Sequence, residues 1–289
     1  MWKKFADKVF AVTVRALTVT AVFILIFIII FIVRESLFVF REVAPLDFLL
    51  GRDWRPMSTP PRVGLLPIFT ASLALSGLAL LLALPAGIGC ALFLSQVCPE
   101  ILRRKLRPFI DILAGIPSVI YGFVGVVILL PFLERSFNLS SGDSLLAGGI
   151  VLAVMILPFL IATTTESMDN TAGKHVLTSK SLGVSRWYMI RHLVLPASRT
   201  GIIAGAILGT ARAMGETMAV MMVVGNSPLM PVSIWQRVKP IPSLIALEMG
   251  SAPLGTLHYH ALYGAGLVLL LILLLVNLVF YFIRKKMEI

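Results

Sequence analysis

Long stretches without a single charged side chain constrain this sequence more than any other feature. Between Arg15 and Arg34 lie 18 uncharged residues, including VFILIFIIIFIV from Val22 to Val33. At about 1.5 Å per residue they make roughly 27 Å of helix, close to the roughly 30 Å hydrocarbon core of a bilayer. Comparable gaps separate Arg62 from Glu100, Asp111 from Glu134, Asp143 from Glu166 and His260 from Arg284. Gly201 to Val224 makes a sixth, interrupted by Arg212 and Glu216. The gaps predict an all-α integral membrane protein with six transmembrane helices, over approximately 11–33, 70–95, 109–133, 145–165, 200–224 and 260–283. The long gap after Arg62 carries Pro67 and Pro85, which suits a short lead-in segment followed by a helix of about 25 residues. Composition agrees: 58% of the 289 residues are hydrophobic, 13% are charged and the mean hydropathy is +0.96. Those figures exclude both an ordinary soluble domain and a disordered chain.

The basic residues set an orientation. With the N-terminus inside, the inner segments hold Lys3, Lys4, Lys8 and Arg15, then Arg103, Arg104, Lys105 and Arg107, then Lys174, Lys180, Arg186, Arg191 and Arg199, then Arg284, Lys285 and Lys286. These are sixteen of the 25 basic residues, against eight outside, so both termini are expected in the cytoplasm. The net charge of +11 then reflects topology and anionic lipid, and no interleaving of basic and aromatic residues points to nucleic acid. The first span reads as a retained anchor, because no small-x-small cleavage site follows it. Cys90 and Cys98 lack further Cys or His at metal spacing, which argues against a disulfide or zinc site.

No soluble domain fits between the spans. The outer connections are rich in Pro, Gly and aromatics, placing Trp54 and Trp235 near headgroup level. His258 and His260 are expected in interfacial water. The inner segment 171–190 mixes Lys, Arg, His, Ser and Thr with apolar residues at helical intervals. It predicts a helix, a turn at Gly183 and a second helix ending near Pro196. Such a hairpin is either a docking element for another protein or an inert link.

Arg212 and Glu216 are the most informative residues. A charge at the centre of a spanning helix costs about 2.5–3.5 kcal/mol and usually faces a partner or a water-filled path. In a continuous helix, i, i+4 spacing puts both on one face. Gly201, Gly205 and Gly209 form a small-residue stripe for close helix packing, with Glu216 about 20° and Arg212 about 60° from Gly209 around the axis. The pair is either a salt bridge that locks the bundle or a gated cation: Arg212 contacts an anion in transit, and Glu216 holds Arg212 in its absence. In GIPSVIYG, from Gly115 to Gly122, Pro117 and Ser118 break the third span and free backbone groups, as lining helices of substrate cavities do. HExxH, GxSxG and GxxxxGK[ST] are all missing, so ATP-driven transport would need its ATPase on another chain.

The stretch SLGVSRWYMIRHLVLP, from Ser181 to Pro196, resembles the cytoplasmic loop signature of bacterial ABC-importer permeases. Gly183, Leu193, Leu195 and Pro196 keep its spacing, whereas Leu177 replaces the signature glutamate. AGIPSVIYGFVG (114–125), GTARAMGETMAVMMVVGN (209–226) and DWRP (53–56) are similar to the C-type permease of the high-affinity phosphate importer, over nearly the whole chain. The resemblance implies a type I ABC-importer permease fold in the bacterial inner membrane. It also implies a heterodimer with a second related permease, two ATP-binding subunits and a periplasmic phosphate-binding protein. Segment 171–190 would carry the coupling to the ATPase, with Lys180, Gly183, Arg186 and, just beyond it, Pro196 as the coupling residues, and Arg212 and Glu216 would line the phosphate path. The chain would bind no cofactor or metal itself, ATP and magnesium being held by the ATPase. The alternatives are a sulfate or molybdate permease, the A-type partner, an intramembrane enzyme and a structural scaffold. GETMAV and DWRP favour the phosphate C-type, and no intramembrane nucleophile or metal triad supports an enzyme.

Overall fold

The computed structural model describes residues 2–181 and 183–287. Helices dominate, because every backbone N–H and C=O within a bilayer has to be satisfied inside its own segment. The first helix, α1 (Trp2–Glu42), is followed by the short α2 (Pro45–Leu50) and a two-stranded antiparallel ribbon, β1 (Trp54–Arg55) with β2 (Arg62–Val63), in which Trp54 pairs with Val63. Next come α3 (Leu66–Leu92), prolonged by a π-turn to Val97, and α4 (Glu100–Gly115). A third crossing is assembled from α5 (Ser118–Val124), a π-turn over Gly125–Leu129 and α6 (Leu130–Phe137). The long α7 (Leu145–Ser181) leads to α8 (Arg186–Met189), a π-turn and α9 (Leu195–Ala197). The chain ends with α10 (Arg199–Gly215), α11 (Met218–Val223), α12 (Ile241–Glu248) and α13 (Leu257–Met287).

Five of these units are long and apolar enough to cross a membrane: Val9–Glu42, Leu66–Val97, Ser118–Phe137, Leu145–Thr171 and Leu257–Val279. A sixth is a bent pair, Arg186–Ala197 with Arg199–Gly215, turning through 58°. Several expected boundaries therefore move: the first span runs on to Glu42 instead of 33 and the fourth to Thr171 instead of 165, and two others change in kind. Residues 109–115 of the span expected over 109–133 belong instead to the polar helix α4, since Arg103 to Asp111 carries five charges that lipid excludes. The span expected over 200–224 is not one helix, for α10 stops at Gly215 and α11 restarts at Met218.

The core lies around α7, two-thirds of whose most apolar window is buried. Its Gly148 and Gly149 let Leu75 and Leu78 of α3 come close, and Leu152 and Ile156 are fully covered. Pro158 lies inside α7 and leaves one carbonyl of its ladder without a donor. By contrast α1 exposes Phe10, Leu17, Phe23 and Phe27 to its surroundings and touches mainly α13, as through the edge-on contact of Phe31 with Tyr263. A face this apolar is solvated by acyl chains. A second apolar cluster, with Phe48, Trp54, Ile68, Ile241, Leu244 and Leu262, seals the end of the bundle that carries the ribbon and α12.

Candidate functional site

Two helix breaks lie side by side. At the first, Ile116 and Pro117 are extended between α4 and α5, and Ser118 is the first residue of α5. Pro117 therefore stands at the mouth of the third span rather than within it, a correction to the break expected inside a helix. Its fixed φ and missing N–H suit the position just before a first helical turn. The Tyr121 hydroxyl donates to the Leu113 carbonyl across the break at 2.7 Å, satisfying an acceptor at the end of α4. The second break separates α10 from α11. There Glu216 is extended, and its Oε1 accepts from the Ala219 N–H at 3.2 Å.

α5 and α11 run parallel and nearly touch. A side chain at Gly122 would come within 2.9 Å of the Ala219 Cα, and one at Gly125 within 2.8 Å of Val223. This register sets the two breaks within about one helical turn, roughly 5 Å, of the same level. Two motifs a hundred residues apart in sequence, GIPSVIYG and GETMAV, thus form one packed unit.

Arg212 occupies the last turn of α10 and is exposed on this chain. Its guanidinium carbon lies 4.3 Å from the centroid of the Phe159 ring of α7. Among the described residues it makes no ion pair. The i, i+4 pairing with Glu216 is absent because the helix ends one residue too early, at Gly215. Glu216 instead occupies a backbone donor that the break would leave bare in a medium without water. The cation therefore rests on an aromatic face, which attracts the charge while leaving the in-plane N–H donors unused. Sequence periodicity could not single out Phe159, one apolar residue in an apolar helix.

The glycine stripe faces α7. A Cβ at Gly201 would collide with Ser167 and one at Gly205 with the Thr163 hydroxyl. One at Gly209 would meet Ile156 and Leu160 at ordinary distances of 3.6 and 3.7 Å. Close approach is therefore built at the first two positions and not at the third.

In the inner segment α7 continues as one helix to Ser181, so the helix expected to begin near 171 is the extension of a span. Lys180 falls on its last turn, with its side chain outside the described residues, as is Leu182. Gly183 takes the left-handed φ of +65° that lets the chain reverse. Ser185 then caps α8, its Oγ accepting from the Tyr188 N–H, and Arg186 opens the helix in an exposed position. Pro196 sits within α9, and the chain bends at the fully buried Ser198, whose hydroxyl lies against Thr171. Met189, Ile190 and Val194 bury against Ala91 and Met168, fixing the segment to α3 and α7.

At the opposite end Glu248 gathers three donors: Lys239 Nζ at 2.8 Å, Trp54 Nε1 at 2.9 Å and His258 Nε2 at 2.9 Å. Burial alone would raise its pKa, but the hydrogen bonds from Lys239, Trp54 and His258, with the charge of Lys239, hold the carboxyl below its usual value. Trp54 and His258 are buried in this knot: His258 is not in the interfacial water expected for it, and the Trp54 ring packs inside the protein. One carboxylate, nearly two hundred residues from Trp54 in sequence, recruits both rings. His260 likewise approaches Glu35, at 3.3 Å.

Helices of spanning length, with two helix breaks side by side near a cation, define the class: a multi-pass membrane permease. Residues 83–288 match the family described as binding-protein-dependent transport system inner membrane component. The chain belongs to this family. Among its relatives is a probable ABC transporter permease protein, YqgH of Bacillus subtilis strain 168, 35% identical over 96% of this chain and 90% of the relative. The phosphate transport system permease protein PstC of Mesorhizobium japonicum is 34% identical over 80% of this chain and 75% of that protein. PstC of Pasteurella multocida is 34% identical over 78% and 75% respectively. A solved structure of the MetNI methionine ABC transporter in an inward-facing conformation superimposes with a TM-score of 0.58, covering 75% of this chain and 92% of that one at 15% identity. A bacterial ABC transporter that imports alginate gives 0.56, covering 76% and 78% at 16% identity. The shared fold is that of type I ABC-importer permeases.

Proposed function

We propose that this chain is a permease subunit of an ATP-driven phosphate importer of the bacterial inner membrane. It forms half of the translocation path with a second related permease. The observation that carries the reading is Arg212: a cation at a helix break, exposed on this chain, held by the Phe159 ring and free of any carboxylate among the described residues. A phosphate ion crossing a low-dielectric region needs such a fixed charge. Glu216, one turn beyond, repels the anion and hastens its departure while it caps α11. The relatives whose names specify phosphate transport favour phosphate over sulfate or molybdate.

Both termini lie in the cytoplasm in this reading. There Lys180, Gly183, Arg186 and Pro196 form the surface that meets the ATPase, which binds ATP and magnesium; this chain holds neither. A periplasmic phosphate-binding protein delivers substrate at the face carrying the ribbon and α12. Arg212→Gln in the reconstituted complex should lower radiolabelled phosphate uptake by about a hundredfold, equivalent to roughly 3 kcal/mol for leaving a charge uncompensated in a buried site. Assembly should be unaffected. Undiminished uptake would refute the role of Arg212.

A further inference from the structure

α4 is anomalous for a segment between two spans. It is amphipathic, yet none of its residues is buried by this chain. At about 100° per residue, Ile101, Leu102, Phe109, Ile112 and Leu113 share one face. Ile101, Phe109 and Ile112 are each more than 60% exposed. The edge that packs on α7 carries Arg103, paired with Asp169, which also accepts a hydrogen bond from Ser95. Arg104 pairs with Glu100 at 3.1 Å, leaving Lys105 and Arg107 without a carboxylate among the described residues. Asp111 is the other acidic residue of the helix, so its 16 residues carry four basic groups against two acidic ones.

The connections restrict where this helix can go. Only Cys98 and Pro99 separate it from the end of the second span, and only Ile116 and Pro117 from the start of the third. Two residues reach about 7 Å at most. Both ends of α4 are thereby held at the level where two spans meet the membrane surface. An apolar face kept at that level lies among acyl chains; Lys105, which falls on that face, reaches up its own stem to the headgroups, where the basic edge of Arg103 and Arg107 also lies.

Between α4 and α7 a cavity of about 50 Å³ is lined by Arg103, Arg107, Asp111, Ile110, Ile161 and Thr165. Thr165 is only 7% exposed, and its hydroxyl has no hydrogen-bond partner among the described residues. A buried hydroxyl without a partner costs on the order of 1–3 kcal/mol, so an acceptor at this position is favoured. Two guanidinium groups, a hydroxyl donor and an aliphatic wall at a membrane surface match the phosphodiester and upper acyl chain of a phospholipid. Asp111 on the rim opposes the anion and Asp169 already pairs with Arg103, so the attraction rests on Arg107, on the Arg103 donors that Asp169 leaves unused and on the Thr165 hydroxyl.

We propose that α4 is an interfacial helix and that its groove with α7 binds an anionic phospholipid, the phosphodiester against Arg103, Arg107 and Thr165. The inference needs only that the chain spans a membrane, and its readouts do not involve uptake. It therefore fails or stands separately from the transported substrate.

The test uses the whole complex in vesicles of phosphatidylglycerol and phosphatidylcholine. Spin labels on Phe109→Cys and Ile112→Cys, in a background with Cys90→Ser and Cys98→Ser, should collide with dissolved oxygen and not with a water-soluble nickel chelate. Collision with nickel would place the face in water, and shielding from both would place it under a partner subunit; either overturns the proposal. Native mass spectrometry should find phosphatidylglycerol retained over phosphatidylcholine. Arg107→Gln, which leaves the Arg103 pair intact, should lower retention about fivefold, the factor for one basic residue at an anionic surface. Thr165→Val should lower it without changing oxygen accessibility. Unchanged retention in both variants, or displacement of the lipid by inorganic phosphate, would overturn the assignment.

Discussion

At the scale of the residue, Arg212 shows how a charge is held in a membrane without being spent on a salt bridge. A carboxylate partner would take up its in-plane donors, whereas the Phe159 face attracts the cation and leaves them available. Phe159→Leu should therefore reduce phosphate uptake about fivefold, the equivalent of a contact worth roughly 1 kcal/mol, and Phe159→Tyr should restore it. Initial rates in proteoliposomes measure both. Glu248 makes the opposite choice and is saturated with donors. Its folded pKa lies below the ordinary 4.5, so its stabilising contribution is complete above that value and is lost as pH falls through the lower folded one. Glu248→Gln should flatten the acid limb of the melting profile below pH 4.5 and cost on the order of 2 kcal/mol at neutral pH. Thermal melts across pH check this outcome.

Among the elements, the spans were legible in the sequence because lipid imposes one rule on every residue of a crossing. The runs without charge around Val22 to Val33 and Leu145 to Thr165 needed no tertiary information. Helix ends were not legible where a polar neighbour decides them. The residues from 109 to 115 continue a charged amphipathic helix, and Gly215 ends α10 because the Glu216 carboxylate can cap the first turn of α11. The glycine stripe was visible as a pattern, yet only packing distinguishes its members. Gly205→Ala should destabilise the folded chain by about 1–3 kcal/mol through overpacking against Thr163, and Gly209→Ala should be close to neutral. Melting temperatures of the two variants in one detergent provide the comparison. Of the candidate site, Arg212 and Glu216 could be picked out by their rarity at membrane depth. Phe159 and the donors around Glu248 could not, since each is brought in from a distant element.

For the whole molecule, the bundle has one sealed and one projecting end. The ribbon, α12 and the Glu248 knot close the first, and the extension of α7 with α8 and α9 forms the second. If the projecting end meets the ATPase, Lys180→Cys should crosslink to that subunit, and failure at every position from 174 to 186 would count against docking there. If both termini are cytoplasmic, alkaline phosphatase fused at the C-terminus should be inactive while green fluorescent protein fused there should fluoresce. The reverse pattern would invert the orientation.

The continuity of α7 has a mechanical meaning. From Phe159 to Ser181 the helix runs without interruption, a rod of about 33 Å. Immediately before it stands Pro158, where the ladder lacks one hydrogen bond and bending is easiest. A lever pivoted there converts a tilt of about 10° into a displacement of about 6 Å at the far end, and the reverse stroke returns as a small rotation at the Phe159 ring. The aromatic seat of Arg212 is thus the short arm of a lever whose long arm reaches the surface on which a partner can push.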